Sequence, residues 1–177
     1  IDKFQAMSQA AGFEPKPPII LTNISCAESR EEAQERAFRY LGRKWQSIDD
    51  HYHFSDGHLA SVKGYEAYGK TARTYAKLKD PASLKKATDF YVSIQIVGTP
   101  DDCLQQLGEL QKITGLDHLV AEFSFGNLPH HEAEKNVRLF ADRVLPILQR
   151  DPAYAGPRAT APASGKRAAH GDIFAPA

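Results

Sequence analysis

The residues of this chain that could do chemistry lie in a few separate places. Leu21, Asn23 and Ser25 alternate through an apolar stretch, so in a strand all three share one face. An amide and a hydroxyl both donate and accept hydrogen bonds, so Asn23 and Ser25 can read a bound carbonyl or simply satisfy nearby backbone. In the string DDHYHFSDGH, residues 49–58, His51 and His53 would project together only from a strand, with Asp56 and His58 closing a cation site. In a polar loop the same side chains are merely solvated. His130 and His131 follow a strand-like stretch, where an imidazole can serve as acid or base near neutral pH or occupy the first turn of a helix. Ser124 lies at the exit of that stretch, and Trp45 is the chain's one tryptophan, a core residue or a pocket wall. Cys26 and Cys103 have no CxxC spacing and read as two reduced buried thiols, with a disulfide or metal pair as the alternative. No GxGxxG follows a strand, and no Walker loop, GxSxG elbow or HExxH occurs.

The elements that must position these groups read as α/β. Residues 19–25 are β-rich and mostly apolar, as a parallel strand buried on both faces would be. Ser29 with Glu32 forms a capping box that opens a helix over about 30–45. Residues 89–97, DFYVSIQIV, read as a second strand. Thr99 as N-cap, Pro100 at the first helical position, and Asp101 and Asp102 at the positive end of the dipole start a helix that Gly115 ends. Residues 118–125 follow as a buried strand, ended by Gly126 and Asn127. A last helix carries Val137, Phe140, Ala141, Val144, Leu145 and Leu148 on one face. Between Ile48 and Lys86 periodicity fades, and so long a connection suggests a lid. The organisation is one unit over 1–150, with a lid-like insertion at about 48–86. A tail over 151–177, rich in Ala, Pro and Gly, reads as disordered.

Composition narrows the function classes. Lys plus Arg equals Asp plus Glu at 22 each, so no net positive field recruits nucleic acid or an anionic membrane. No apolar run approaches the ~20 residues of a membrane span, and no signal peptide is visible, so a cytoplasmic setting is expected.

One set of motifs carries a family resemblance. "VGTPDDC", "ITGLDHL", the "F.FGNLP" strand exit and "RLFADRVLPIL", with "AESREEAQERAFRYLG" and "KGYEAYG" upstream, are similar to the C-terminal part of the luciferase-like flavin-dependent monooxygenases. The resemblance covers roughly residues 18–149. It implies the last strands and helices of a (β/α)8 barrel, with the N-terminal half absent, since such barrels need about 250 residues. It implies reduced FMN, supplied by a flavin reductase, and O2 as oxidant of a small organic substrate such as an aldehyde. The deazaflavin F420 is the variant cofactor, and a homo- or heterodimer is the expected complete assembly. Alternatives are a flavin-binding relative without turnover or a non-catalytic barrel fragment. By this resemblance Asn23, Ser25, Trp45 and Ser124 are cofactor-binding candidates. The stretch FSDGHLASVKGYEAYGKTARTYAKLKD resembles a mobile loop, with Gly64 and Gly69 as flexible points and Lys77 and Lys79 as its cations. A closing loop has a chemical purpose there, because the reaction of reduced flavin with O2 must exclude water. The family uses no metal, and the catalytic base is not identified among these residues.

Overall fold

Strand β1, Ile19–Cys26, lies between two others in a computed structural model that describes residues 1–151 and Tyr154. Strand β2, Ile96–Gly98, pairs in parallel with its C-terminal end, Ile24 opposite Ile96 and Cys26 opposite Gly98. Strand β3, His118–Glu122, pairs in parallel with its other edge, Ile19 opposite His118 and Asn23 opposite Glu122. The order is therefore β2-β1-β3. Helices α1 (Asp2–Ala10), α2 (Arg30–Tyr52), α3 (Tyr68–Lys77), α4 (Pro81–Ser93), α5 (Pro100–Thr114), α6 (His130–Arg143) and α7 (Leu145–Arg150) complete the described residues, with short 3-10 turns at Phe54–Asp56 and His58–Ser61.

This order decides where the helices go. Parallel crossovers are almost always right-handed, so stepping from β1 to β2 and then back past β1 to β3 sends successive helices to opposite faces. The packing agrees. Ile24, Cys26 and Ile96 form one apolar cluster with Cys103 and Leu107 of α5, Phe140 of α6 and Val144 just beyond it. Ala37 and Leu41 of α2, Val92 of α4 and Phe125 form another. The expected α/β class is observed. A run of barrel strands would instead lie in the order 1-2-3 with its helices on one side, so the strands seen here do not reproduce a barrel segment.

The local start and stop signals behave as expected. The Thr99 hydroxyl accepts from the Asp102 N–H, the Asp102 carboxylate accepts from the Thr99 N–H, and Gly115 ends α5 in the left-handed region. Other elements depart from expectation. Residues 89–93 are helical, and only 96–98 form strand. Asp80 caps α4 and Pro81 occupies its first turn, so the helix starts firmly and then carries Val92 into contact with α2. Helix α2 runs about two turns beyond Trp45. Strand β3 stops at Glu122, and Val120 in its middle is 48% exposed. The single face expected for the last helix is split, because Pro146 cannot continue α6. Phe140 and Val144 turn inward, whereas Val137 and Leu145 are each 39% exposed.

Beyond Glu122 and Asn23, β3 and β1 part, and the side chain of Asn136 on α6 fills the gap. Its Oδ1 accepts from the Cys26 N–H at 2.7 Å, and its Nδ2 donates to the carbonyls of Ile24 at 2.6 Å and Phe123 at 3.2 Å. The loop after β3 then passes against α2 at Gly126. Its φ is +57°, and a Cβ there would overlap the Tyr40 carbonyl oxygen, so only glycine fits. Cys26 and Cys103 are free, buried thiols of one apolar cluster. The tail reading for 151–177 lies outside the described residues, Asp151 and Tyr154 apart. No helix among the described residues is long and apolar enough to cross a membrane.

Candidate functional site

Helix α2 organises the site because its C-terminal half supplies four of the side chains that line it. Trp45, Gln46, Asp49 and Asp50 line a cavity of about 340 Å³, closed by Tyr75, Leu78, Lys79 and Leu84. Leu41, Trp45 and Ile48 recur at helical spacing, which explains why α2 continues where the sequence suggested an end. The connection at 48–86 is therefore mostly helical, and aromatic rings hold it. Phe54 packs against Tyr52 at 5.3 Å, Tyr68 at 5.7 Å and Tyr75 at 5.3 Å between ring centroids. The Trp45 ring meets Tyr75 edge-on at 6.2 Å and Tyr91 at 5.2 Å. Its Nε1–H is buried with no hydrogen-bond partner among the described residues.

Behind the cavity, a polar network ties α4 and α2 to β1. Gln95 Oε1 accepts from the Asn23 N–H at 2.8 Å and from its Nδ2 at 2.9 Å. Asn23 Nδ2 also donates to the Tyr91 hydroxyl at 3.0 Å. Lys44 Nζ reaches Asn23 Oδ1 at 3.5 Å and Glu122 at 3.2 Å. Burial lowers the Lys44 pKa, yet the Glu122 carboxylate and Tyr91 outweigh it and leave the ammonium above its ordinary value. Burial also disfavours the Asp49 anion, but the hydroxyl and backbone N–H of Ser55 outweigh that and hold its carboxyl below the usual range. Burial first, then the Asp49 charge, pushes the Tyr75 phenol up, so it remains a donor at neutral pH.

The structure thus joins some expected residues and separates others. Trp45 and Asn23 both touch Tyr91, and Trp45 and Lys79 line the same cavity. Ser25 points elsewhere, donating to the Ala33 carbonyl at 2.8 Å, and Ser124 is exposed in the loop after β3. Gly64 lies before α3 at φ +90°, with open space around it. Gly69 is inside α3, where a Cβ would meet Ala60, and Lys77 is exposed in its last turn. His51 rests on the Tyr52 ring, and His53 caps α2 3.7 Å from Asp56. No three metal-ligating side chains converge among the described residues. His130 and His131 are exposed in the first turn of α6. Sequence reading missed Lys44, Tyr75, Tyr91 and Gln95. The aromatic spacing of Tyr68 and Tyr75 along one helix, and of Tyr91 beside Gln95, was the available signal.

No family model matches the chain, and no curated protein matches it. Among solved structures it is similar to the crystal structure of monooxygenase RslO1 from Streptomyces bottropensis, at 20% identity and a TM-score of 0.46. That likeness covers 82% of this chain but 36% of the other, so the chain spans about a third of that protein's length. A likeness this slight carries no argument about activity.

Proposed function

We propose that this chain is part of a luciferase-like flavin-dependent monooxygenase, which uses reduced FMN and O2 to oxygenate a small organic substrate such as an aldehyde. The observation that supports it most is that Trp45 and Lys79, expected separately as pocket wall and lid cation, line one cavity. The ordered run of motifs between residues 18 and 149 supports it independently. The cavity fits part of the cofactor. Trp45 and Tyr75 line it with aromatic surface that suits a flat ring. A phosphate does not fit, because Asp49 and Asp50 oppose the lone cation Lys79. When bound, the flavin supplies the reducing equivalents that activate O2. The residues of this chain receive the ring, and Leu78 and Leu84 keep its surroundings apolar. A flavin reductase delivers the reduced cofactor, F420 is the variant, and the working assembly is a dimer.

A second reading, flavin binding without turnover, is favoured by the commitment of Asn23 and Ser25 to internal hydrogen bonds. Anaerobic titration with reduced FMN and reduced riboflavin, followed by oxygen uptake with aldehydes, separates the two. Both flavins should bind weakly and alike, because nothing at the cavity holds phosphate. Trp45→Ala should abolish binding, Asn23→Ala should weaken it, and His51→Ala should leave it unchanged. Binding without substrate-dependent oxygen uptake selects the second reading, and the absence of any flavin binding ends both.

A further inference from the structure

We propose that Cys26 and Cys103 are a dithiol that a hydroperoxide converts to a disulfide, tying the end of β1 to the first turns of α5. Neither thiol lines the cavity beside Trp45, and the pair does not depend on the oxygenase reading above. Cys26 ends β1 opposite Gly98 in the parallel ladder, and its side chain joins Ile24 on the face that α5 covers. Gly98 has φ +151°, and a Cβ there would lie 2.5 Å from that of Asp102, so the first turn of α5 rests on the ladder itself. Cys103 follows Asp102 and turns to the sheet, its Sγ 3.9 Å from the Gly98 carbonyl oxygen. The N–H of Ala27, next to Cys26, donates to the same oxygen at 3.1 Å. The Arg30 guanidinium donates to both Asp102 oxygens, at 2.9 and 2.7 Å, and clamps the segment after Cys26 to the one before Cys103. Both thiols are buried in one apolar cluster, 1% and 0% exposed, and lie in hydrogen-bond contact with each other. Two thiols so placed need little backbone movement to reach disulfide geometry.

The two sulfurs take different roles. The hydrogen bond from Cys103, set against burial and aided by the Arg36 charge, holds the Cys26 thiol below its ordinary value. The same contact, then burial, pushes the Cys103 thiol up. Cys26 is therefore the thiolate and the nucleophile, and Cys103 the sulfur that resolves. The Cys26 sulfur attacks a peroxide oxygen: an S–O bond forms, the O–O bond breaks, and an alcohol leaves a sulfenic acid behind. The Cys103 sulfur then attacks that sulfur, the S–S bond forms, and the S–O oxygen departs as water with the Cys103 proton. Two thiols and one hydroperoxide thus give one disulfide, one alcohol and one water, and with hydrogen peroxide the alcohol is a second water. Burial slows the first step, because peroxide enters only when the short strand β2 and the start of α5 open. It also favours disulfide over sulfinic acid, since the second thiol is already in contact and a second peroxide is not.

The test treats the full, folded chain with hydrogen peroxide at neutral pH, with no flavin present, and then counts thiols after denaturation. The chain has 2 cysteines, so the count should fall from both to none while the intact mass loses two hydrogens and the protein stays monomeric. A non-reducing peptide map should link Cys26 to Cys103, and dithiothreitol should restore both thiols. In a glutathione redox buffer the folded chain should hold the disulfide at least about tenfold more strongly than the chain unfolded in urea, because a bond that suits the fold closes a long loop already closed there. In Cys103→Ser the oxidation should stop at a sulfenic acid on Cys26 that dimedone traps, and Cys26→Ser should slow oxidation of Cys103 at least about tenfold. Thiols that persist in the folded chain after complete oxidation of a glutathione control overturn the proposal. So do sulfinic acid in place of the disulfide, a bond between two chains, or equal disulfide stability in folded and unfolded chains. Should a variant not fold, the peptide map and redox titration of the unaltered chain decide alone. Flavin titration is a separate measurement, so failure of the oxygenase reading remains distinguishable.

Discussion

From Thr22 to Cys26, β1 is buried on both faces, whereas Ile19 and Leu21 earlier in the same strand are 68% and 62% exposed. Both ends are paired in a parallel ladder, and the open end has the longer pairing, Ile19 to Asn23 against β3. Ladder hydrogen bonds therefore do not distinguish the two ends; cover does. At the closed end α5 and α6 pack on Ile24 and Cys26, α2 packs on Ser25, and Asn136 answers the backbone where β3 departs. At the open end Leu21 and its neighbour Val120 remain 62% and 48% exposed. The difference teaches that in a parallel sheet the helices, more than the strand pairing, decide which apolar side chains leave water.

The closed end breaks most readily at Asn136. Asn136→Leu strands the Cys26 N–H and the carbonyls of Ile24 and Phe123, and should cost about 3–5 kcal/mol in urea unfolding. A loss under about 1 kcal/mol would show that the parting of β1 and β3 is held by something else. A smaller effect is expected at Asp102, which caps α5 beside the end of β2. The Arg30 guanidinium, then the Thr99 N–H, hold its carboxyl well below the usual carboxylate range. A depressed folded pKa gives stability that is present above the unfolded value of about 3.9 and lost as pH falls through the folded one. Asp102→Asn should therefore cost about 1 kcal/mol at neutral pH and flatten the acid limb of the melting temperature below about pH 4. Parallel acid limbs for the two proteins would remove Asp102 from the account. At the open end the expected change is smallest. Leu21→Lys should alter stability by no more than about 0.5 kcal/mol, while Ile24→Ala, on the same strand, should cost about 2–5 kcal/mol. Comparable costs at the two positions would mean that Leu21 is covered in solution, and the contrast drawn here would fail.

The candidate site was legible in part, and the pattern of success is physical. Asn23 and Trp45 were visible as types suited to a pocket, and the structure links them through Tyr91, whose hydroxyl and ring each reach one of them. Ser25 looked equivalent to Asn23 by alternation, yet its hydroxyl is spent on the Ala33 carbonyl because α2 packs closest there. The stretch at 48–86 read as a lid-like connection because its apolar residues are largely aromatic and spread over several short elements. Ring contacts of Phe54 with Tyr68 and Tyr75, two turns apart on α3, order it.

The sequence by itself determined what is decided within a few residues. Ser29 with Glu32 set the start of α2; Thr99, Pro100, Asp102 and Gly115 set both ends of α5; and β-rich composition set β1. Each of these rests on hydrogen bonds or dihedral preferences spanning three or four positions, which a chain carries with it whatever its fold. Only the tertiary structure decided the order β2-β1-β3, the helical fate of 89–93, the partner of Asn136 and the meeting of Trp45 with Lys79. Those outcomes depend on contacts between positions tens of residues apart. Local propensity differs by a few tenths of a kcal/mol per residue there, and the burial of one Val92 or one amide outweighs it.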